Sequence, residues 1–196
     1  MTHYYTDNSD LKSEKKSFDY YFDNEKFTFT TDNGVFSKGG VDYGSYLLIK
    51  NTYKKQLGNN VLDLGCGYGP VGVIIKRFNK DANVVSVDVN SRAVELAREN
   101  ADYNSTQLEV CLCQDILTLN TTFDSIIFNP PIRAGKVVIY DLYQRSYMSL
   151  CDNGSLYIVI QKKQGAASSI NKLKELFKTV TILDKAGGYQ IIQATK

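Results

Sequence analysis

Three carboxylates, a glycine-rich loop and an Asn-Pro-Pro triplet are the residues of this chain best suited by type and spacing to carry chemistry. Asp63-Leu64-Gly65-Cys66-Gly67-Tyr68-Gly69-Pro70 continues directly from the apolar run that begins at Val61. Glycines let the backbone turn tightly from strand into helix and let a ligand come close. A loop of this kind at the carboxyl end of a central strand is where open α/β sheets bind ligands. The second acid, Asp88 in Val87-Asp88-Val89, falls 25 residues after Asp63 at the end of the next apolar strand. A carboxylate there can accept two hydrogen bonds from a ribose diol. The third, Asp115 in Cys113-Gln114-Asp115-Ile116, follows another short strand. Ile127-Phe128-Asn129-Pro130-Pro131-Ile132 closes a fourth, where two prolines end the sheet and fix the backbone.

Two cofactor classes compete for the loop. Gly67-Tyr68-Gly69-Pro70-Val71-Gly72 satisfies the G-x-G-x-x-G pattern of dinucleotide sites, with Asp88 at a suitable distance. In that reading the first glycine follows the strand directly, whereas here Asp63 precedes the glycines. A carboxylate aimed into the loop repels a pyrophosphate and suits a cationic amino group. S-adenosylmethionine carries an ammonium, a sulfonium and a ribose but no phosphate. The Asp63–Gly69 segment resembles the glycine-rich loop of class I S-adenosylmethionine-dependent methyltransferases. The resemblance implies that Asp63, Gly65, Cys66, Gly67 and Gly69 hold the methionine part. It implies that Asp88 and Val89 hold the ribose and that Asp115 and Ile116 hold the adenine.

The Asn129-Pro130-Pro131 triplet resembles the Asn-Pro-Pro-aromatic motif of methyltransferases that act on planar amino groups. An exocyclic amine is a poor nucleophile because its lone pair is delocalised. Two acceptors that bind its hydrogens favour a geometry that turns the lone pair toward the methyl group. The Asn129 side-chain oxygen and the Pro130 carbonyl are the implied acceptors, and Asn129 is also an implied cofactor contact. Positioning and electrostatics then suffice without a strong base. Ile132 stands where that family carries an aromatic residue to stack on a flipped base. The implied catalytic set is Asn129, Pro130, Pro131 and Ile132.

Phe29–Ser37, Val41–Ser45, Asn129–Lys136 and Gln161–Ala166 resemble segments of the ribosomal RNA small-subunit methyltransferase C (RsmC) family, in its short, single-domain bacterial members. The resemblance spans roughly residues 18–195. It implies guanine N2 of small-subunit (16S) ribosomal RNA as acceptor, with ribosomal RNA or the small subunit as partner. A base within a duplex must be unpaired or flipped out to reach a buried donor. Arg133, Lys136, Lys162 and Lys163 then become candidate phosphate contacts at the mouth of the site. Other readings are a protein-glutamine or different nucleic-acid amino-methyltransferase, an NAD-dependent oxidoreductase, and a non-catalytic RNA-binding module.

The elements that must position these residues are legible from periodicity. Residues 1–17 are expected as a loosely held, flexible arm. Residues 18–196 are expected as one methyltransferase domain, divided into a hairpin and helix extension (18–58) and a Rossmann-like core (59–196). Phe27–Thr31 and Val35–Ser37 flank Asp32-Asn33-Gly34 as a hairpin. A helix runs from Tyr43 to about Gln56, capped by Asp42. From Asn60 strands alternate with helices, which implies a seven-stranded, mostly parallel α/β sheet with helices on both faces. The link 184–188 is too short for a crossover, so the last strand runs antiparallel. The hairpin and first helix are expected to cover one edge.

Composition narrows the classes further. The chain has 196 residues, 43% hydrophobic and 22% charged, close to an ordinary globular average. No apolar run approaches a membrane span, and the polar start lacks a signal peptide's apolar stretch, so a cytoplasmic protein without membrane contact is expected. Cys66, Cys111, Cys113 and Cys151 form no C-x-x-C pair and the sole histidine is His3, so no metal site is expected. Net charge is +2 but uneven: residues 61–127 carry 5 basic and 9 acidic side chains, and residues 128–196 carry 10 and 4. The basic final third is the part suited to a polyanion.

Overall fold

The computed structural model describes residues 11–196. Seven strands form the central sheet: β3 (Asn60–Leu64), β4 (Asn83–Asp88), β5 (Glu109–Leu112), β6 (Phe123–Phe128), β7 (Leu150–Gln161), β8 (Thr179–Ala186) and β9 (Tyr189–Thr195). Their spatial order is β5-β4-β3-β6-β7-β9-β8. The first five are parallel, and β9 lies antiparallel between β7 and β8. This is the class I methyltransferase arrangement that the sequence predicts, with the antiparallel strand as expected; the link before it is shorter than 184–188, only Gly187-Gly188, because β8 runs on to Ala186.

Apolar residues on both faces of the strands divide between two cores. Val61, Val84, Ile127, Tyr157 and Val159 face one core; Leu62, Val85, Ile126, Leu156 and Ile158 face the other. This alternation is the period of two that an extended strand imposes. Helices α1 (Tyr43–Thr52), α2 (Pro70–Phe78) and α3 (Ser91–Tyr103) cover the first face. Helices α4 (Lys136–Ser149) and α5 (Ala166–Leu176) cover the second.

The extension differs from expectation in two ways. Its hairpin lies one turn upstream: β1 (Lys16–Phe22) pairs with β2 (Glu25–Thr31) around Asp23-Asn24. Both turn residues have positive φ, 48° and 66°, the conformation of a two-residue hairpin turn that Asn and Asp tolerate. Asp32 is 1% exposed and its carboxylate is occupied by Ser13 and the backbone of Glu14 and Asn33, so it anchors a loop instead of turning a hairpin. Val35–Ser37 forms a turn, not a strand. β1 begins two residues inside the segment expected as an arm, while residues 1–10 of that expected arm lie outside the described residues. The second difference is that α1 covers a face of the sheet and not an edge. Leu47, Leu48 and Ile49 are all buried, which closes α1 between β7, β9 and α2.

The hairpin is bolted to the core by two asparagines. Asn100 Oδ1 accepts from Thr30 N (2.7 Å) and its Nδ2 donates to Thr30 O (2.8 Å). One helical turn on, Asn104 repeats the pattern with Thr28, at 3.0 and 2.8 Å. Residues i and i+4 share a helix face, as alternate residues share a strand edge, so α3 supplies β2 with a side-chain ladder. The edge of β2 is thereby satisfied.

Candidate active site

The site forms where the parallel strands end together. Leu64 pairs with Phe128 across β3 and β6, and with Val87 across β3 and β4. The glycine loop and the Asn-Pro-Pro triplet therefore leave the sheet side by side, with Asp88 next to them. They open into a cleft of about 290 Å³, lined also by residues 35–37, Asp42, Ser45, Cys113, Gln114 and the inner face of α4.

Backbone geometry explains the loop. Gly65 and Cys66 both donate to Val87 O at 2.9 Å, which folds the loop over the end of β4. Gly67 has φ 56°, and nothing stands within 4 Å of where its side chain would be. Its N–H donates to Asp88 Oδ2 at 2.9 Å, and Asn90 N donates to Asp88 Oδ1 at 2.9 Å. Gly69 caps α2 and faces Ala97 of α3, not the cleft. Gly72, the third glycine of the dinucleotide-like pattern, sits inside α2. A side chain there would meet Ser86 Oγ at 2.2 Å and Asp63 Oδ2 at 3.0 Å. Its role is close packing over Asp63, which accepts its N–H at 2.9 Å.

Asp63 is 3% exposed. Burial pushes its carboxyl up to about 7, although the Gly72 N–H and the Ser86 hydroxyl (3.3 Å) work the other way. Burial also raises Asp88 above the usual carboxylate range, against the hydrogen bonds from Asn90 and Gly67. Such carboxylates gain most from a bound cation or from hydroxyl donors. Each Asp88 oxygen retains a second lone pair for a ribose hydroxyl. The open cradle at Gly67 and these two acids fit S-adenosylmethionine.

The cleft gathers Asp63, Gly65, Cys66, Gly67, Asp88, Val89, Ile116, Asn129, Pro130 and Pro131. Other predicted site residues stand apart. Asp115 caps the short turn that follows it through Leu117 N (3.0 Å) and pairs with Arg145 Nη1 at 2.6 Å. The Arg145 hydrogen bond holds its carboxyl below the usual range. Ile132 is half-buried against the second core. Arg133, Lys136, Lys162 and Lys163 are exposed at the carboxyl end of the sheet, outside the cleft lining.

Four residues that the sequence does not assign to the site enter it: Ser45, Arg145, Asp141 and Asp42. Ser45 Oγ accepts from Asn129 Nδ2 at 3.0 Å. Arg145 and Asp141, paired at 2.6 Å, line the wall formed by α4. Asp42, expected only as a helix cap, caps α1 through Ser45 N (3.1 Å) and also lines the cleft. Their i, i+3 and i, i+4 spacings are legible in the sequence, but their approach to the site is tertiary.

The strand order, the glycine loop and the paired acids define a class I methyltransferase whose cofactor is S-adenosylmethionine. Residues 26–193 match the family model of the methyltransferase small domain, and the chain belongs to that family. It is 46% identical to the uncharacterized protein YbxB of Bacillus subtilis, over 99% of this chain and 98% of that one. It is 34% identical to ribosomal RNA small subunit methyltransferase C of Haemophilus influenzae, over 69% of this chain and 42% of the relative. Among solved structures, the T. thermophilus 16S rRNA N2 G1207 methyltransferase (RsmC), in complex with AdoMet and guanosine, superposes with TM-score 0.84 at 26% identity. That match covers 95% of this chain and 52% of that one. The chain thus spans about half the length of the RsmC relatives it matches. No helix among the described residues is long and apolar enough to cross a membrane.

Proposed function

We propose that this protein transfers a methyl group from S-adenosylmethionine to N2 of a guanine in small-subunit ribosomal RNA, acting in the cytoplasm as one domain over residues 18–196. The observation that carries the reading is the register of Leu64 with Phe128, which sets the glycine loop beside Asn129 and Pro130. The cofactor supplies a methyl group already activated by a positive sulfur.

The chain's own residues then have three tasks. Asp63 balances an ammonium, and Asp88 accepts from ribose hydroxyls. Asn129, with its amide nitrogen directed to Ser45, keeps Oδ1 for one hydrogen of the acceptor amine, and the Pro130 carbonyl takes the other. With both hydrogens held, the amine lone pair turns to the methyl group, and the surplus proton leaves to solvent. Arg133, Lys136, Lys162 and Lys163 ring the carboxyl end of the sheet, where phosphates flanking a splayed base would pass. Asp115 acts on the adenine end through Arg145, whose side chain lines the cleft. Ile132 offers packing support and no stacking surface.

The test uses methyl-labelled S-adenosylmethionine and small ribosomal subunits from a strain lacking the protein, followed by digestion of the RNA to nucleosides. Label in N2-methylguanosine, lost with Asn129→Ala while cofactor binding persists, supports the reading. Label in another amino-methylated base refutes the target. Label in protein alone refutes the RNA substrate.

A further inference from the structure

Asp42 is the cleft carboxylate that the cofactor site leaves unused. Asp63 and Asp88 are engaged by the glycine loop and its flanks, and Asp141 is paired with Arg145. Among the described residues no lysine or arginine pairs with Asp42. Its Oδ1 accepts from Ser45 N, and the Ser45 hydroxyl receives Asn129 Nδ2. Asp42 and Asn129 thus belong to one hydrogen-bonded unit and line the same cleft.

We propose that Asp42 is the specificity-determining residue: its carboxylate accepts the N1–H of the base whose 2-amino group is held by Asn129. The inference rests on the function proposed above. Adenine, cytosine and guanine all carry exocyclic amines. In adenine and cytosine the Watson–Crick-edge ring nitrogen beside the amine presents a lone pair. Guanine alone presents an N–H there, at N1. A carboxylate accepts that proton and repels a lone pair, so it selects guanine by attraction and rejects the others by repulsion. A glutamine amide, whose nitrogen is flanked by a carbonyl, is rejected on the same ground. Sites built to bond a particular donor discriminate strongly against analogues that lack it.

Asp42→Asn tests this, because Asn caps a helix as well as Asp does and so preserves α1. The probes are guanosine and 2-aminopurine riboside, which keeps the 2-amino group but has a lone pair at N1. Their dissociation constants are measured by calorimetry on protein saturated with S-adenosylmethionine. The wild-type protein prefers guanosine by about tenfold or more, and Asp42→Asn loses or inverts that preference. Loss of the guanine O6 affects both proteins alike and cancels in the comparison. Asp42→Ser, which also caps, weakens guanosine without favouring the analogue. Cofactor affinity and melting temperature stay at wild-type values in both variants. An unchanged preference in Asp42→Asn leaves Asp42 a helix cap and overturns the proposal, while N2-methylguanosine formation on subunits would still sustain the proposed function. Wild-type protein that shows no preference for guanosine, or binds none at millimolar concentration, also overturns it. Absence of N2-methylguanosine on subunits removes the reading beneath it.

Discussion

The Ser45 hydroxyl lies 3.0 Å from the amide nitrogen of Asn129, a contact between residues 84 positions apart. It joins the first helix of the extension to the strand end that carries Asn129. A lone asparagine after a strand is free to rotate about χ1 and χ2, and a misplaced acceptor holds the amine in the wrong geometry. Ser45→Ala is therefore expected to lower single-turnover methyl transfer by about 10²-fold, while cofactor affinity is preserved. Ser45→Thr restores the hydroxyl and much of the rate. Equal rates for Ser45→Ala and wild type would show that Asn129 is positioned by other contacts.

Asp63 is expected to make stability and cofactor affinity depend on pH in opposite directions. Burial raises its carboxyl to about 7 in the folded protein, whereas an unfolded aspartate titrates near ~3.9. Between these values the folded state holds a proton that the unfolded chain has released. The contribution to stability is therefore complete below the lower value and is lost as pH rises through the upper one. Urea denaturation of the free protein at about pH 5 and about pH 8 should show this loss, and Asp63→Asn should flatten it. A cationic ammonium favours the charged carboxylate, so cofactor affinity should fall as pH drops below about 7. Calorimetry across that range checks the sign. Asp63→Asn should bind cofactor weakly while being no less stable, and tight binding by that variant would remove Asp63 from the ammonium site.

Much of this was readable from the chain because it is local. The loop from Asp63, Asp88 at the end of β4 and Asn129 at the end of β6 each sit where one strand stops, and parallel strands stop at one edge. Helix α3 begins at Ser91 because Asn90 caps it through Arg92 N and Ala93 N, a signal that lies wholly within the local sequence. The position of the hairpin is not legible locally, because Asp32-Asn33-Gly34 and Asp23-Asn24 are both competent turns. Tertiary burial of Asp32 against Ser13 and Glu14 decides between them. Asp115 follows its strand as expected, yet Arg145 of α4 claims its carboxylate, a partner 30 residues away. Ser45 and Asp42 carried no chemical signature, because a capped helix start looks the same with or without a cleft beside it.

Gly72 is expected to be intolerant of even a methyl group. A Cβ would stand 2.2 Å from Ser86 Oγ and 3.0 Å from Asp63 Oδ2 within a closed core. Overpacking of this kind costs about 1–3 kcal/mol, so Gly72→Ala should lower stability by that amount. In a Ser86→Ala background the closest clash is removed and the cost should shrink. A double-mutant cycle by urea denaturation measures the coupling. Strict additivity would show that α2 shifts as a body instead of meeting Ser86.

Asn100 links the extension to the glycine loop, and its loss should be felt at both. The residue is fully buried, and its amide nitrogen donates to Tyr68 O at 2.7 Å as well as to Thr30 O. Asn100→Ala leaves the Thr30 N–H and two carbonyls without partners in a closed site. Unpaired buried groups cost about 1–3 kcal/mol each before relaxation, so a loss of about 2–4 kcal/mol is expected. Tyr68 lies between Gly67 and Gly69, so the glycine loop, proposed above as the cofactor's cradle, also loses a tether, and cofactor affinity should fall with stability. Asn104→Ala removes bonds to Thr28 and to the Asn100 carbonyl but none to the glycine loop. It should destabilise the fold while leaving cofactor affinity intact. Chemical denaturation and cofactor titration of the two variants side by side separate the roles. Equal losses of affinity would mean that the hairpin as a whole, and not the Asn100–Tyr68 bond, holds the loop in place.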